Sequence, residues 1–149
     1  MQLPLEPPSP SELARSPRER VLLLSSKVGA GAVALWCAEL LAGGSCDAAS
    51  LRWIGGRHAV AAQDHLEDHW PRVWAARALL YAWAPGAEPA VLAGLHDPAW
   101  RVREMCAKVA RLRGLQRAEP ILAHLLDDRV LRVRAAAEAA LTEAAGPPD

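Results

Sequence analysis

The chain has 149 residues and a mass of 16.0 kDa, with seventeen basic and seventeen acidic side chains. That length suits one domain with its own hydrophobic core, and 52% apolar with 23% charged residues is a globular rather than a disordered mix. A formal net charge of zero excludes a wholesale polyanion binder and leaves only local patches open.

The first ten residues carry four prolines and read as a flexible lead. No basic residue precedes Arg15, which makes a poor secretory leader. The longest uninterrupted apolar run, Val28 to Ala38, is closed by Lys27 and Glu39. It falls short of the roughly 20 residues that a spanning helix needs. Cys37, Cys46 and Cys106 lack a CxxC spacing, and an odd count without pairing logic indicates a reducing compartment. A soluble cytoplasmic protein is the expectation. Ser11 to Leu24 and Val28 to Ala42 have helical composition, with Gly43-Gly44 as a stop. A short helix is expected from Asp47 to Ile54, ending at Gly55-Gly56. The segment Trp53–His58 then leads into the second half. Its two glycines either admit a ligand to the backbone or turn the chain.

The second half repeats itself. Glu88, Pro89, Leu95, Asp97 and Arg101-Val102-Arg103 recur as Glu119, Pro120, Leu126, Asp128 and Arg132-Val133-Arg134, all at an offset of 31. Leu66, Asp68, Arg72 and Val73 form a third copy at an offset of 29. Three units follow, at about 57–86, 87–117 and 118–146, each read as two antiparallel helices. In the middle unit Pro89 opens helix A, whose buried stripe is Val91, Leu92 and Leu95. Asp97 reads as the N-cap and Pro98 as the first residue of helix B. Val102, Met105, Cys106, Val109 and Leu112 lie on one face of it, as do Val133, Ala136, Ala137, Ala140 and Leu141 in the last unit. One such hairpin cannot bury both faces, whereas stacked neighbours can. The expected domain is 11–146, with 147–149 as a tail.

An Asp, then Val-Arg five and six positions later, then small residues, resembles the HEAT repeat, especially its bacterial PBS-lyase HEAT-like form. Asp97 with Val102-Arg103 and Asp128 with Val133-Arg134-Ala135-Ala136-Ala137 carry the resemblance. It implies an all-α fold, a right-handed α-solenoid of antiparallel helix pairs. It also implies a hydrogen-bonded ladder formed by Asp68, Asp97, Asp128, Arg103 and Arg134. The first unit departs from the pattern, because Trp74 stands where the ladder arginine belongs. Arg77 is the expected substitute, reaching back across Trp74. Such arrays usually act as scaffolds along a concave face of B helices, although some relatives attach bilins and others excise alkylated bases from DNA.

Four groups of residues are candidates for function. Arg101 to Arg117 holds six positive charges, Arg101, Arg103, Lys108, Arg111, Arg113 and Arg117, against Glu104 alone. Such a patch suits phosphates or an acidic protein surface, or it is a solvated face with ladder arginines. Six tryptophans and no phenylalanine suggest interface anchors or space-fillers between alanine-rich helices, with Trp74 or Trp100 as the exposed exception. His65 and His69, beside Asp64, Glu67 and Asp68, have a metal-ligand spacing. Asp68 has a capping role, however, and Pro71 interrupts the helix, so solvated histidines are the expectation and neither metal nor cofactor is assigned. No GxSxG, phosphate loop, HExxH or dinucleotide fingerprint occurs, and Cys106 reads as core rather than nucleophile. The reading is a monomeric, non-enzymatic scaffold that binds a protein partner through Trp74, Arg77, Trp100, Glu104, Lys108 and Arg111. The alternative is a nucleic-acid binder related to helical-repeat DNA glycosylases, with Asp64 or Asp68 near Trp70 and Trp74.

Overall fold

The computed structural model describes residue 3 and residues 6–61 and 69–144, and every regular element among them is helical. The expected helix over 11–24 divides at Ser16-Pro17. Helix α1 (Pro10–Leu13) is closed by a capping box: Ser9 Oγ accepts from the Glu12 N–H, and Glu12 Oε1 accepts from the Ser9 N–H. Ser16 Oγ then accepts from the Glu19 N–H to start α2 (Pro17–Val28), with Pro17 in the first turn, where a missing N–H costs nothing. Gly29, at φ +93°, separates α2 from α3 (Ala30–Leu41), and the two helices bend by 118° there. No single described helix is long and apolar enough to cross a membrane. The apolar residues of α3 instead enter the core: Val33, Ala34, Trp36, Cys37, Leu40 and Leu41 are buried. Asp47 caps α4 (Ala48–Gly55), and α5 (Arg57–Ala61) follows directly. At the N-terminal lead, Leu3 and Pro8 are buried, and the Trp53 indole N–H donates to the Glu6 carbonyl at 3.0 Å.

The sequence repeat is also a structural one. Helix α6 (Trp70–Ala78) ends the first unit. A 3₁₀ turn at Pro85–Ala87, α7 (Glu88–Gly94) and α8 (Trp100–Arg113) make the second. A 3₁₀ turn at Gln116–Ala118, α9 (Glu119–Leu125) and α10 (Leu131–Ala144) make the third. Each element of the third unit starts and ends 31 residues after its counterpart in the second. Helix α8 packs against α6, α7 and α10, while α3 packs against α6 and α7. Because α8 has neighbours on several sides, its buried set is broader than one stripe. Ala107 and Ala110 join Val102, Cys106 and Val109, whereas Leu112, expected in the core, is 58% exposed. Gly94 lets α7 approach α8 closely, since a Cβ there would overlap Cys106 Sγ.

Candidate functional site

The site is built on the turns that lead into the second helix of each unit. Helices α8 and α10 begin at Trp100 and Leu131, each two residues later than Asp97 and Asp128 as N-caps would require. Asp97 Oδ1 accepts from the Ala99 N–H and Asp128 Oδ1 from the Val130 N–H, each at 2.9 Å. Each carboxylate therefore caps the turn that precedes its helix.

Each carboxylate is also held by the preceding unit. Arg103 donates from Nε and Nη2 to Asp128 at 2.9 and 3.2 Å. Its Nη1 donates to the carbonyls of Asp97 and Pro98. Arg134 donates to the Asp128 carbonyl at 2.7 Å. Burial raises the Asp128 carboxyl, but the Arg103 hydrogen bond, the Val130 N–H and the charges of Arg103 and Arg129 outweigh it and hold the group below its ordinary value. At the earlier boundary Asp97 is clamped by Arg72, at 2.7 and 3.1 Å. Arg77, expected to fill that place, donates instead to the Ile54 carbonyl at 2.7 Å. The arginine that fills it stands two positions before Trp74, with the same 25-residue separation from its Asp as Arg103 has from Asp128, and Trp74 itself turns inward. It is 4% exposed, and a Cβ at Gly55 would stand 2.6 Å from its ring. Asp68, and with it the expected histidine pair at His65, lies outside the described residues.

Outside this ladder runs a stack of rings and guanidiniums. Trp70 stacks on Trp74 with centroids 6.3 Å apart. Arg101 lies 5.2 Å from the Trp70 ring and 4.4 Å from the Trp100 ring, and Arg132 lies 5.5 Å from the Trp100 ring as well. Glu104 Oε1 then accepts from Arg132 at 3.1 Å and pairs with Lys108 at 3.2 Å. Trp70 and Trp100 are half-buried, while Arg101, Lys108 and Arg132 are exposed. Three expected contact residues are corrected: Trp74 and Glu104 are buried, so they support the stack from beneath rather than meet a partner, and Arg77 turns away to the Ile54 carbonyl at the end of α4. Arg101, Trp70 and Arg132 belong to the exposed row, and Arg132 was the residue that sequence reasoning missed. The signal was present, since Arg132 stands 31 residues after Arg101 in the repeat.

The basic cluster from Arg101 to Arg117 is largely committed within the protein. Arg103 pairs with Asp128, Lys108 with Glu104 and Arg111 with Glu143, and Arg113 donates to the carbonyls of Leu79 and Leu80. Arg113 also lies 5.4 Å from the Trp83 ring. Among the described residues no group of three or more His, Cys, Asp or Glu is placed to hold a metal. Burial pushes the thiols of Cys37 and Cys106 far up, and burial with the Asp47 charge pushes Cys46 up to about 11. All three stay protonated at neutral pH. The glycine pair at Gly55-Gly56 is explained by internal packing. Gly55 admits the Trp74 ring, and Gly56, at φ +60°, admits the Arg20 guanidinium.

Neither a curated protein nor a solved structure matches the chain. A family model for HEAT repeats matches residues 60–142, which is more than half of the 149 residues. With the Asp–Arg ladder and the 31-residue structural repeat in place, the chain belongs to the HEAT-repeat family.

Proposed function

We propose that this chain is a non-enzymatic adaptor that binds an acidic protein surface through the exposed row Trp70, Arg101, Trp100, Arg132 and Lys108. The observation that carries this is the alternation of indoles and guanidiniums across successive units. Half-buried indoles offer large apolar contact at little entropic cost. The arginines, already ordered by the rings, present forked donors to carboxylates. HEAT repeats commonly serve as protein-interaction scaffolds, and the stacked units favour an α-solenoid of antiparallel helix pairs with this row along one edge. The Asp…Val-Arg spacing favours the PBS-lyase HEAT-like form. A monomer working in the cytoplasm without metal or cofactor fits this reading. The nucleic-acid alternative has weaker support, because most charges of the basic cluster already have internal partners.

The test is affinity purification of the tagged chain from its host after nuclease treatment, comparing wild type with Trp100→Ala and Arg132→Glu. A defined partner that survives nuclease and is lost from both variants supports the adaptor. Retention that depends on nucleic acid, or a partner indifferent to both substitutions, overturns it.

A further inference from the structure

A second group of cations gathers on the far side of α4. A cavity of about 250 Å³ at the C-terminal end of that helix is walled by Arg15, Arg20, Arg57, His58 and Arg77, and among the described residues no carboxylate lines it. The arginines come from different elements: Arg20 from α2, Arg57 from the start of α5 and Arg77 from α6. Arg20 is 5% exposed, an unusual burial for a guanidinium.

Part of this arrangement is structural. Arg20 Nε donates to the Trp53 carbonyl at 3.2 Å, its Nη1 donates to the Arg15 carbonyl, and Arg77 Nη2 donates to the Ile54 carbonyl at 2.7 Å. The bonds to Trp53 and Ile54 satisfy carbonyls in the last turn of α4, and the bond to Arg15 ties in the segment before α2. Arg20 thus spends Nε and Nη1, and Arg77 spends Nη2, which leaves part of each guanidinium for another acceptor. Arg20 Nη2 and Arg77 Nε and Nη1 have no acceptor among the described residues, and no described carboxylate lies within ion-pair distance of Arg20, Arg57 or Arg77. Burial disfavours the charged form of both Arg20 and Arg77, and Arg20 is further disfavoured by the Arg77 charge. Buried charges are normally paired, and among the described residues no carboxylate lines this cavity beside the guanidiniums.

We propose that this cavity binds a phosphate dianion, either free or as a small phosphomonoester, held by Arg20, Arg77 and the Arg57–His58 pair. Planar guanidinium forks match the edges of a tetrahedral oxyanion, and several around one cavity supply more donors than a carboxylate accepts. The volume lies below the roughly 300–1,000 Å³ of pockets that hold drug-sized ligands, so the ligand is small. This site is separate from the Trp–Arg row and does not depend on the adaptor reading.

Isothermal titration of the full chain with inorganic phosphate, and separately with phosphoserine, tests it. One saturable site per chain is expected at millimolar concentration or tighter. Arg57 is exposed and its side chain makes no hydrogen bond among the described residues, so Arg57→Gln keeps the fold, checked by circular dichroism, and weakens binding by about tenfold. Arg77→Lys weakens it as well, whereas Lys108→Gln, on the other row, leaves it unchanged. Binding of inorganic phosphate alone assigns the free ion, and binding of both ligands assigns a site open to esters. No saturable binding of either ligand up to about 10 mM, or affinity unaltered in Arg57→Gln, overturns the proposal.

Discussion

Replacing Asp128 with asparagine isolates the ladder from the turn it caps. Asparagine can still accept from the Val130 N–H, so the cap survives. What is lost is the charge opposite Arg103, a pair whose side chains are 10% and 8% exposed. The two hydrogen bonds between them, at 2.9 and 3.2 Å, are charge-assisted and shielded from water. Removing one member of such a pair costs about 3 kcal/mol, because the remaining guanidinium stays buried without its counter-ion. Arg103 keeps its bonds to the Asp97 and Pro98 carbonyls, which places the cost at the low end of that range. For a domain of this size the melting temperature should fall by about 10 °C. Urea unfolding of wild type, Asp128→Asn, Arg103→Met and the double variant gives the pair's coupling directly. A loss below about 1 kcal/mol, or no coupling in the cycle, refutes the claim that the ladder ties unit to unit.

The same carboxylate sets an acid limit. Its folded pKa lies below the unfolded value, so its contribution is fully present above about pH 4–5 and fades as pH falls through the folded value. Wild type should therefore lose stability in that acid window more steeply than Asp128→Asn, measured by urea midpoints across pH. Gly55→Ala should cost about 1–3 kcal/mol, because the new methyl meets Trp74 Cε3 at 2.6 Å and Ala59 Cβ at 2.8 Å; an unchanged melting temperature contradicts that packing. Under native conditions a thiol reagent should modify Cys46 slowly and leave buried Cys37 and Cys106 untouched, with all three reacting after denaturation. Once a partner is in hand, Trp100→Ala should weaken binding by about 2 kcal/mol, since it removes the ring shared by Arg101 and Arg132. Arg111→Gln should matter little, because that arginine pairs at the exposed edge with Glu143.

Much of this protein is legible along the chain. The 31-residue offset, the Asp before each second helix and the Pro near the start of each first helix predict repeated helix pairs, and the elements recur at that same offset. Those signals are local: they concern which residues cap, start and stop a helix. Side-chain destinations across units were another matter. Sequence spacing placed Trp74 and Glu104 on a working surface and assigned Arg77 to the ladder. The fold buries the first two and sends Arg77 to α4, leaving Arg72 to hold Asp97. Helical period says which residues share a face, but not which neighbour covers that face. That was decided by α4 and α6, whose approach needs Gly55 beneath the Trp74 ring. The Trp–Arg row and the arginine cavity have the same origin. Each joins residues from several elements, so each exists only after those elements have packed.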